Sequence, residues 1–184
     1  MVSDAKGGEG PKGEAEGPLL SPLTYDRAVS EIREARADEA LFLAAVQEEA
    51  SLAALAHIFP PDLYPYPSEA VRARWTEAAA DPARRLLIAP SAYGALGAAC
   101  VSEGWLEGLY VVPSQWGSGL GNDLHDMALD LVRALGSASC RLWVLEDNAR
   151  ARRCYERRGW QENGETRVVP FPPNPLDVGY TLEI

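Results

Sequence analysis

The feature that most constrains the fold is a glycine-rich turn between a strand pattern and a helix pattern. Residues 105–112 are typical of a strand, glycines occupy positions 117, 119 and 121, and an amphipathic helix is predicted over Asn122–Leu135. Glycines let successive backbone N–H groups converge, and a helix N-terminus adds about half a positive charge. The unit therefore predicts an α/β chain with an anion-binding cradle suited to a diphosphate. Glycines at alternate positions could instead merely make a tight turn.

Two common diphosphate-binding motifs do not match this turn. A P-loop requires a lysine after the glycines, and the only lysines of the chain are Lys6 and Lys12. The dinucleotide-binding motif GxGxxG requires a third glycine where this chain has Asn122. Both alternatives therefore fail on the residues present.

The rest of the chain divides into a tail and a body. Glycine and proline are frequent and hydrophobic residues sparse up to Pro22, so residues 1–28 are predicted to be a disordered tail and residues 29–184 a single domain. Helices are expected after the N-cap residues Asp38, Ser68 and Asn148. The apolar residues of the first helix are Leu41, Ala45, Leu52 and Leu55. The second helix places Val71, Trp75 and Ala78 on one face. Further strands are predicted over 29–35, 84–89, 94–102, 140–145, 166–169 and 177–184.

Composition limits the classes of partner. The chain has 17 basic and 27 acidic residues, a formal charge of −10, which argues against nucleic-acid and membrane-surface binding because both need a basic face. No apolar run approaches the roughly 20 residues of a membrane span, and no secretory signal is expected. Three cysteines without CxxC spacing indicate a reduced, cytoplasmic protein, and only two histidines make a metal site improbable.

Two motifs together resemble the GNAT N-acetyltransferase superfamily. The first is Val111-Val112-Pro113 followed by Gly119-Leu120-Gly121, with Trp116 where the family usually has Gln or Arg. The second is Asn-x-x-Ala-x-x-x-Tyr-x-x-x-Gly-Trp, present as Asn148, Ala151, Tyr155, Gly159 and Trp160. The resemblance spans residues 32–184. It implies a mixed, mostly antiparallel central sheet flanked by helices, with a splayed strand pair at an acetyl-CoA site.

The resemblance also implies roles for individual residues. The exposed strand backbone at Leu109, Tyr110 and Val111 would pair with the pantetheine arm and polarise the thioester carbonyl. Asn148 would hydrogen-bond the cofactor, with helix N-capping as a second role. Tyr155 would act as general acid near the sulfur, the alternative being core packing. The diphosphate would be held by a loop comprising Trp116, Gly117, Ser118, Gly119, Leu120, Gly121 and Asn122.

Residues outside the motifs are harder to assign. Glu107, near the glycine loop, is the candidate general base acting through water, the alternative being a solvated strand residue. Trp143 stands where some relatives that modify protein N-termini have a glutamate, which suggests an apolar wall. Tyr64, Tyr66 and Phe171 would border the acceptor cleft. Five arginines between Arg150 and Arg158 are typical of a solvated helix face, although one or two could meet the 3′-phosphate of CoA.

These observations predict an acetyl-CoA-dependent N-acetyltransferase that acts on a small cationic amine by direct attack in a ternary complex. Acetylation of a protein or peptide amine is the alternative within the enzyme class. A non-catalytic acyl-CoA-binding or interaction module is the alternative outside it. No metal is expected, and the resemblance brings a homodimer into consideration.

Overall fold

The fold is built on seven strands and four helices, seen in a computed structural model that describes residues 31–184. The predicted tail over residues 1–28 and the Val29 end of the predicted first strand lie outside the described residues. The strands are β1 Arg33–Glu34, β2 Arg85–Ser91, β3 Gly94–Ser102, β4 Trp105–Val111, β5 Ser139–Leu145, β6 Gln161–Val168 and β7 Leu176–Glu183. The helices are α1 Ala40–Leu55, α2 Ser68–Ala80, α3 Leu120–Ala134 and α4 Ala149–Arg157, with 3-10 turns at Ala37–Glu39 and Pro113–Gln115.

The strands form one sheet of order β1-β2-β3-β4-β5-β7-β6. Every neighbouring pair is antiparallel except β4 and β5, which are parallel and pair at a single position, Trp105 with Arg141. Beyond that position the two strands diverge. The predicted mixed, mostly antiparallel sheet with a splayed strand pair is therefore confirmed.

Each face of the sheet carries its own hydrophobic core. The α3 face buries Leu120, Leu124, Ala128 and Val132 of the helix against residues of β2, β3, β5 and β7. The opposite face buries Leu43 and Val46 of α1 and Val71 and Trp75 of α2 against Ile88, Ala98 and Cys100. The predicted face Val71, Trp75 and Ala78 is thus the buried face of α2.

The predicted N-caps differ from those observed at two of three helices. Asp38 lies in the 3-10 turn, and α1 begins at Ala40 after Glu39, whose carboxylate instead accepts hydrogen bonds from Arg33 and from the backbone of Arg36. Ser68 is the first residue of α2, and its hydroxyl donates to Glu48 across the α1–α2 contact. Asn148 does cap α4, because its Oδ1 accepts from the Ala151 N–H at 3.1 Å. Asp38 instead accepts from the neighbouring Arg36, and Ser68 bonds to another helix, so neither side chain caps its predicted helix.

The observed bounds of α3 and β6 differ from the predicted ones where the sequence pattern is polar. Helix α3 begins at Leu120, two residues before the predicted start, with Gly119 as the preceding residue. Strand β6 begins at Gln161 rather than Thr166, and all eight of its residues are exposed. It is an edge strand, so it shows no buried face from which a pattern could be read. Two of the predicted α1 residues, Leu41 and Leu52, are exposed.

The close approach of α3 to β3 depends on Gly97. A Cβ atom at this buried position would lie 2.5 Å from Leu124 Cδ1. We expect Gly97→Ala to lower the free energy of unfolding by about 1–3 kcal/mol through overpacking, and Leu124→Ala by about 2–5 kcal/mol through a cavity. The double variant should lose less than the sum, because the new methyl group occupies part of the vacated space.

Urea denaturation of the two single variants and the double variant measures this coupling. Gly97→Ala combined with Leu129→Ala serves as the control, since Leu129 is buried on the same helix but is not among the atoms near Gly97. That pair should be additive to within about 0.5 kcal/mol. Additivity in both pairs would show that the Gly97–Leu124 contact does not limit the approach of the helix.

Candidate active site

The divergence of β4 and β5 opens a cavity of about 990 Å³. Its walls come from both strands, from α1, α2 and α4, and from the loops around Tyr64 and Phe171. Predicted site residues that line it are Glu107, Leu109, Tyr110, Asn148 and Tyr155. The predicted cleft residues Tyr64, Tyr66, Phe171 and Trp143 line it as well. The other predicted site residues, Val111 and residues 116–122, are not among those that line it.

The backbone of β4 offers free hydrogen-bonding groups to this gap. The N–H of Val112 donates to the carbonyl of Leu96 on β3, so its backbone faces β3. Backbone groups alternate between the two sides along an antiparallel strand. Leu109 and Val111 therefore direct theirs toward the gap, where no strand pairs with them. The backbone of Tyr110 faces β3, opposite Ala98, and this residue contributes its side chain to the cavity instead.

Trp116 closes one end of that free edge. Its indole Nε1 donates to the Val111 carbonyl at 2.8 Å, and the Arg150 guanidinium lies over its ring at 3.6 Å. The residue thereby ties the glycine loop to the end of β4 and to α4. The N–H of Val111 and both backbone groups of Leu109 remain available to a ligand in the gap.

The glycine loop has the geometry of an anion cradle. Gly117 and Gly119 have φ of 85° and 101°, a region that residues with a Cβ rarely adopt. A Cβ at either would have nothing within 4 Å, so backbone conformation rather than crowding selects glycine there. Among residues 31–184, no backbone hydrogen bond uses the N–H groups of Gly117, Gly119 or Gly121. These donors and the start of α3 suit a diphosphate.

Glu107 is set apart by an irregularity in β4. Gly108 pairs with Cys100 and Leu106 with Val101, so Glu107 is an extra residue without its own partner on β3. Such bulges re-aim side chains and are frequent next to active sites. The carboxylate accepts from Arg84 Nε at 3.0 Å and approaches the Cys100 thiol at 3.7 Å. Glu107 is therefore held by an ion pair while lining the cavity.

Tyr155 lies on the side of α4 that faces the sheet. Its ring makes an edge contact with Trp160, with centroids 5.7 Å apart, and it lines the cavity. Burial raises the pKa of Tyr155, so its hydroxyl is protonated at neutral pH. Tyr155 thus packs against the core and also lines the cavity, and its role as general acid stays a prediction.

The arginines of α4 are not a simple solvated face. Arg150 stacks on Trp116, and Arg152 donates to the Tyr180 hydroxyl, the Glu146 carbonyl and Glu162. Arg158, just after the helix, donates to Asn122 and to Asp126 on α3. Three of the five therefore fix α4 to its neighbours, which corrects the expectation that the run is merely solvated.

Sequence reasoning missed the polar groups at the α1–α2 end of the cavity. Arg74 and Gln47 both line it, and they are hydrogen-bonded to each other at 2.6 Å. Gln47 is buried on the inner face of α1, where it interrupts an otherwise apolar set. The predicted apolar residues of this helix, Leu41, Ala45, Leu52 and Leu55, did not include the buried face that carries Gln47, so the sequence pattern gave no signal for this pair.

Comparisons with known proteins agree with this geometry. The sequence profile of the acetyltransferase (GNAT) family matches residues 24–160. The chain belongs to this family. A mycothiol acetyltransferase of Beutenbergia cavernae is 38% identical over 98 residues, which are 50% of this chain and 33% of that protein. The chain thus spans about a third of the length of that curated relative.

Solved structures of the family share the fold. The ribosomal-protein-S18-alanine N-acetyltransferase of Escherichia coli matches with a TM-score of 0.65 at 17% identity, covering 85% of this chain and 94% of that one. The PaiA N-acetyltransferase of Thermoplasma acidophilum, solved with coenzyme A, matches with a TM-score of 0.61 at 18% identity, covering 84% and 98%. At these identities the similarity extends to the fold alone.

Residues 31–184 show neither a candidate metal-binding cluster nor a helix that could span a membrane. In this part of the chain, no group of three or more His, Cys, Asp or Glu side chains is arranged to hold a metal ion. No helix within it is long and apolar enough to cross a membrane.

His125 connects the glycine-loop helix to the second motif. The Trp160 indole Nε1 donates to His125 Nε2 at 2.9 Å. The Arg158 Nε–H donates to Nδ1 at 2.9 Å, and Nδ1 also lies 3.2 Å from Asp126 Oδ1. Both ring nitrogens therefore face an N–H donor, which opposes protonation of the ring. Burial lowers the pKa of His125, consistent with a neutral ring.

This arrangement predicts a loss of stability on mild acidification. With its pKa lowered in the folded state, His125 contributes its full stability above its unfolded pKa of about 6.5. Below that pH the unfolded state takes up the proton first, and stability falls by at most about 1.4 kcal/mol per pH unit. We expect this loss between pH 6.5 and 5.5 in the wild type but not in His125→Gln, which retains an acceptor for Trp160. Urea denaturation across this range measures it, and equal slopes in both proteins would contradict it.

Proposed function

We propose that this protein is an acetyl-CoA-dependent N-acetyltransferase that acts on a small primary amine, cationic in solution, by direct attack in a ternary complex. The observation that carries this proposal is the single cavity that contains the free edge of β4, Tyr155 and Glu107. Membership of the family supports the type of reaction. The residues in the cavity support the assignment of each role.

The cofactor would lie along the gap between β4 and β5. The backbone of Leu109 and Val111 is free to pair with the pantetheine arm as a strand would. The N–H groups of Gly117, Gly119 and Gly121 would receive the diphosphate, assisted by the N-terminus of α3. Neutral backbone donors can hold this polyanion in a protein whose net charge is −10. When bound, acetyl-CoA supplies an activated acetyl group as a thioester.

Glu107 is proposed as the general base. An alkyl ammonium group has a pKa near 10, so releasing its proton at pH 7 costs about 4 kcal/mol. Through a water molecule, the Glu107 carboxylate would accept this proton, and its ion pair with Arg84 would hold it in place. The amine nitrogen then forms a bond to the acetyl carbon while the carbon–sulfur bond breaks.

Tyr155 is proposed as the general acid. Its protonated hydroxyl would donate to the departing sulfur and would recover a proton from the newly acylated nitrogen. The products are then an amide and the free thiol of CoA, with one proton released through Glu107. The raised pKa keeps the donor protonated at neutral pH, so a supply of the acid form does not limit turnover.

Several observations support a small acceptor. The acceptor side of the cavity is walled by Tyr64, Tyr66 and Phe171 from proline-rich loops and by the stacked pair Trp105 and Trp143, 6.3 Å apart. An aromatic wall of this kind would favour a compact substrate. Trp143 supplies an apolar wall, as proposed from the sequence. A protein N-terminus is the alternative acceptor.

Release of CoA across an amine panel tests the proposed reaction. We expect a thiol reagent to detect CoA only when acetyl-CoA and a suitable amine are both present, and mass spectrometry to find the amine heavier by one acetyl group. Peptides with free N-termini in the same panel separate the two acceptor classes. Binding of acetyl-CoA without release by any amine or peptide would leave a non-catalytic acyl-CoA-binding module.

Substitution of Tyr155 tests the general acid. We expect Tyr155→Phe to lower kcat by about 10²-fold or more, because the sulfur would leave without a proton donor. The Kd of acetyl-CoA, measured by titration calorimetry, should change little, since the ring is kept. Tyr93→Phe is the matched control, because Tyr93 is 92% exposed and lies outside the cavity. An unchanged kcat in Tyr155→Phe would remove Tyr155 from the mechanism.

A further inference from the structure

The α2 side of the cavity carries a fixed positive charge. Arg74 Nη2 donates to Gln47 Oε1 at 2.6 Å, and the neighbouring Trp75 Nε1 donates to the same oxygen at 2.8 Å. Gln47 is buried, so its amide cannot reorient freely. The Trp75 bond fixes Gln47, and Gln47 in turn holds the guanidinium at the cavity wall. The guanidinium also interacts with the Tyr110 hydroxyl, and its five N–H donors leave others for a ligand.

Arg74 differs from the other charged groups of the cavity because it has no counter-ion. Arg167 is paired with Asp177 at 2.8 Å, and Glu107 is paired with Arg84 at 3.0 Å. Among residues 31–184, no carboxylate lies within ion-pair distance of Arg74. Among the charged residues that line the cavity, Arg74 is therefore the one without an ion-pair partner in the described part of the chain.

The Tyr66 hydroxyl, on the loop before α2, is a second hydrogen-bond donor at this cavity. The Tyr66 hydroxyl is buried beside Ser51, yet it makes no hydrogen bond of normal geometry within the described part of the chain. Burial raises the pKa of Tyr66 to about 12, so the hydroxyl is a donor at neutral pH, and the charge of Arg74 opposes that rise. An unsatisfied buried hydroxyl is costly, which points to a ligand that accepts from it.

Arg74 and the candidate base, Glu107, both line the cavity. Both act on the Cys100 thiol: burial raises its pKa to about 12, Glu107 adds to the rise, and Arg74 opposes it. An acceptor bound in this cavity would therefore contact the Glu107 carboxylate and, separately, the Arg74 guanidinium and the Tyr66 hydroxyl. A compact molecule with an ammonium group and a carboxylate complements that arrangement.

We propose that Arg74 and the Tyr66 hydroxyl bind a carboxylate of the acceptor, so that the substrate of this site is a free amino acid. Guanidinium groups bind carboxylates in a bidentate manner, and the phenol would add a third donor. Held in this way, the amino group is presented to Glu107 and the thioester. This inference rests on the proposed function and specifies its acceptor.

Substrate competition is the first test. The twenty amino acids are screened for acetyl transfer, and the best of them is compared with its carboxamide and with the amine that lacks the carboxyl group. We expect kcat/KM for the amino acid to exceed that of both analogues at least ten-fold, mainly through KM. Equal or better use of either analogue would overturn the proposal.

Substitution of Arg74 is the second test. In Arg74→Gln, kcat/KM for the amino acid should fall at least ten-fold more than kcat/KM for the amine without a carboxylate. Tyr66→Phe should shift the same ratio by a smaller factor. Arg72→Gln is the matched control, because Arg72 is exposed on the same helix and does not line the cavity. A parallel loss on both substrates, or no change in the ratio, would contradict the assignment.

Calorimetry separates failure of this proposal from failure of the proposed function. The amino acid that performs best, or each of the twenty if none reacts, is titrated into the wild type and Arg74→Gln in the presence of CoA. Binding that depends on Arg74 without any turnover would support the carboxylate site and refute the transferase. Turnover that does not depend on a substrate carboxylate would support the transferase and refute the carboxylate site. If amino acids neither bind nor react, the proposed carboxylate site is wrong.

Discussion

The parallel contact between β4 and β5 is the constraint on which the site depends. Two strands that paired along their whole length would use the backbone groups of Leu109 and Val111 in the sheet. Pairing at Trp105 and Arg141 alone leaves those groups free and opens the space between the strands. The sheet remains continuous because β5 pairs with β7 at all seven of its residues. The strands on either side therefore hold the gap open. The hydrogen bonds that β4 and β5 do not make with each other are the ones that a bound pantetheine arm would supply.

The sequence predicted the part of the fold that local chemistry determines. The strand–glycine turn–helix unit could be identified because Gly117 and Gly119 need positive φ and because α3 has a strongly periodic apolar face. Asn148 could be identified as a cap because its partner, the Ala151 N–H, lies three residues away. The roles of Asp38 and Ser68 could not, since their helices begin where contacts with Arg33, Arg36 and Glu48 place them. The extra residue at Glu107 is likewise a property of the β3–β4 register and leaves no trace in β4 alone.

The arginines of α4 show how an acidic protein can prepare a site for a polyanion. They are not a diffuse positive surface: Arg150 stacks on Trp116, Arg152 bonds to Tyr180, and Arg158 bonds to Asn122 and Asp126. Each contact joins α4 to the glycine loop, to β7 or to α3. The positive charges therefore stabilise the geometry of the cradle, and the cradle itself is made of neutral N–H groups. Because neutral N–H groups would bind the diphosphate and the arginines position them, a net charge of −10 does not conflict with the proposed cofactor.

The two faces of the sheet contribute differently to the cavity. The motifs that reveal the family belong to β4, α3 and α4, which would hold the cofactor. The groups proposed to select the acceptor, Arg74 and Tyr66, belong to α2 and the loop before it. The position of Arg74 depends on Gln47 of α1, through a hydrogen bond between two helices that no short motif encodes. The cofactor motifs, in contrast, are short runs of residues on β4, α3 and α4. This is why the family can be identified from the sequence more readily than the proposed substrate.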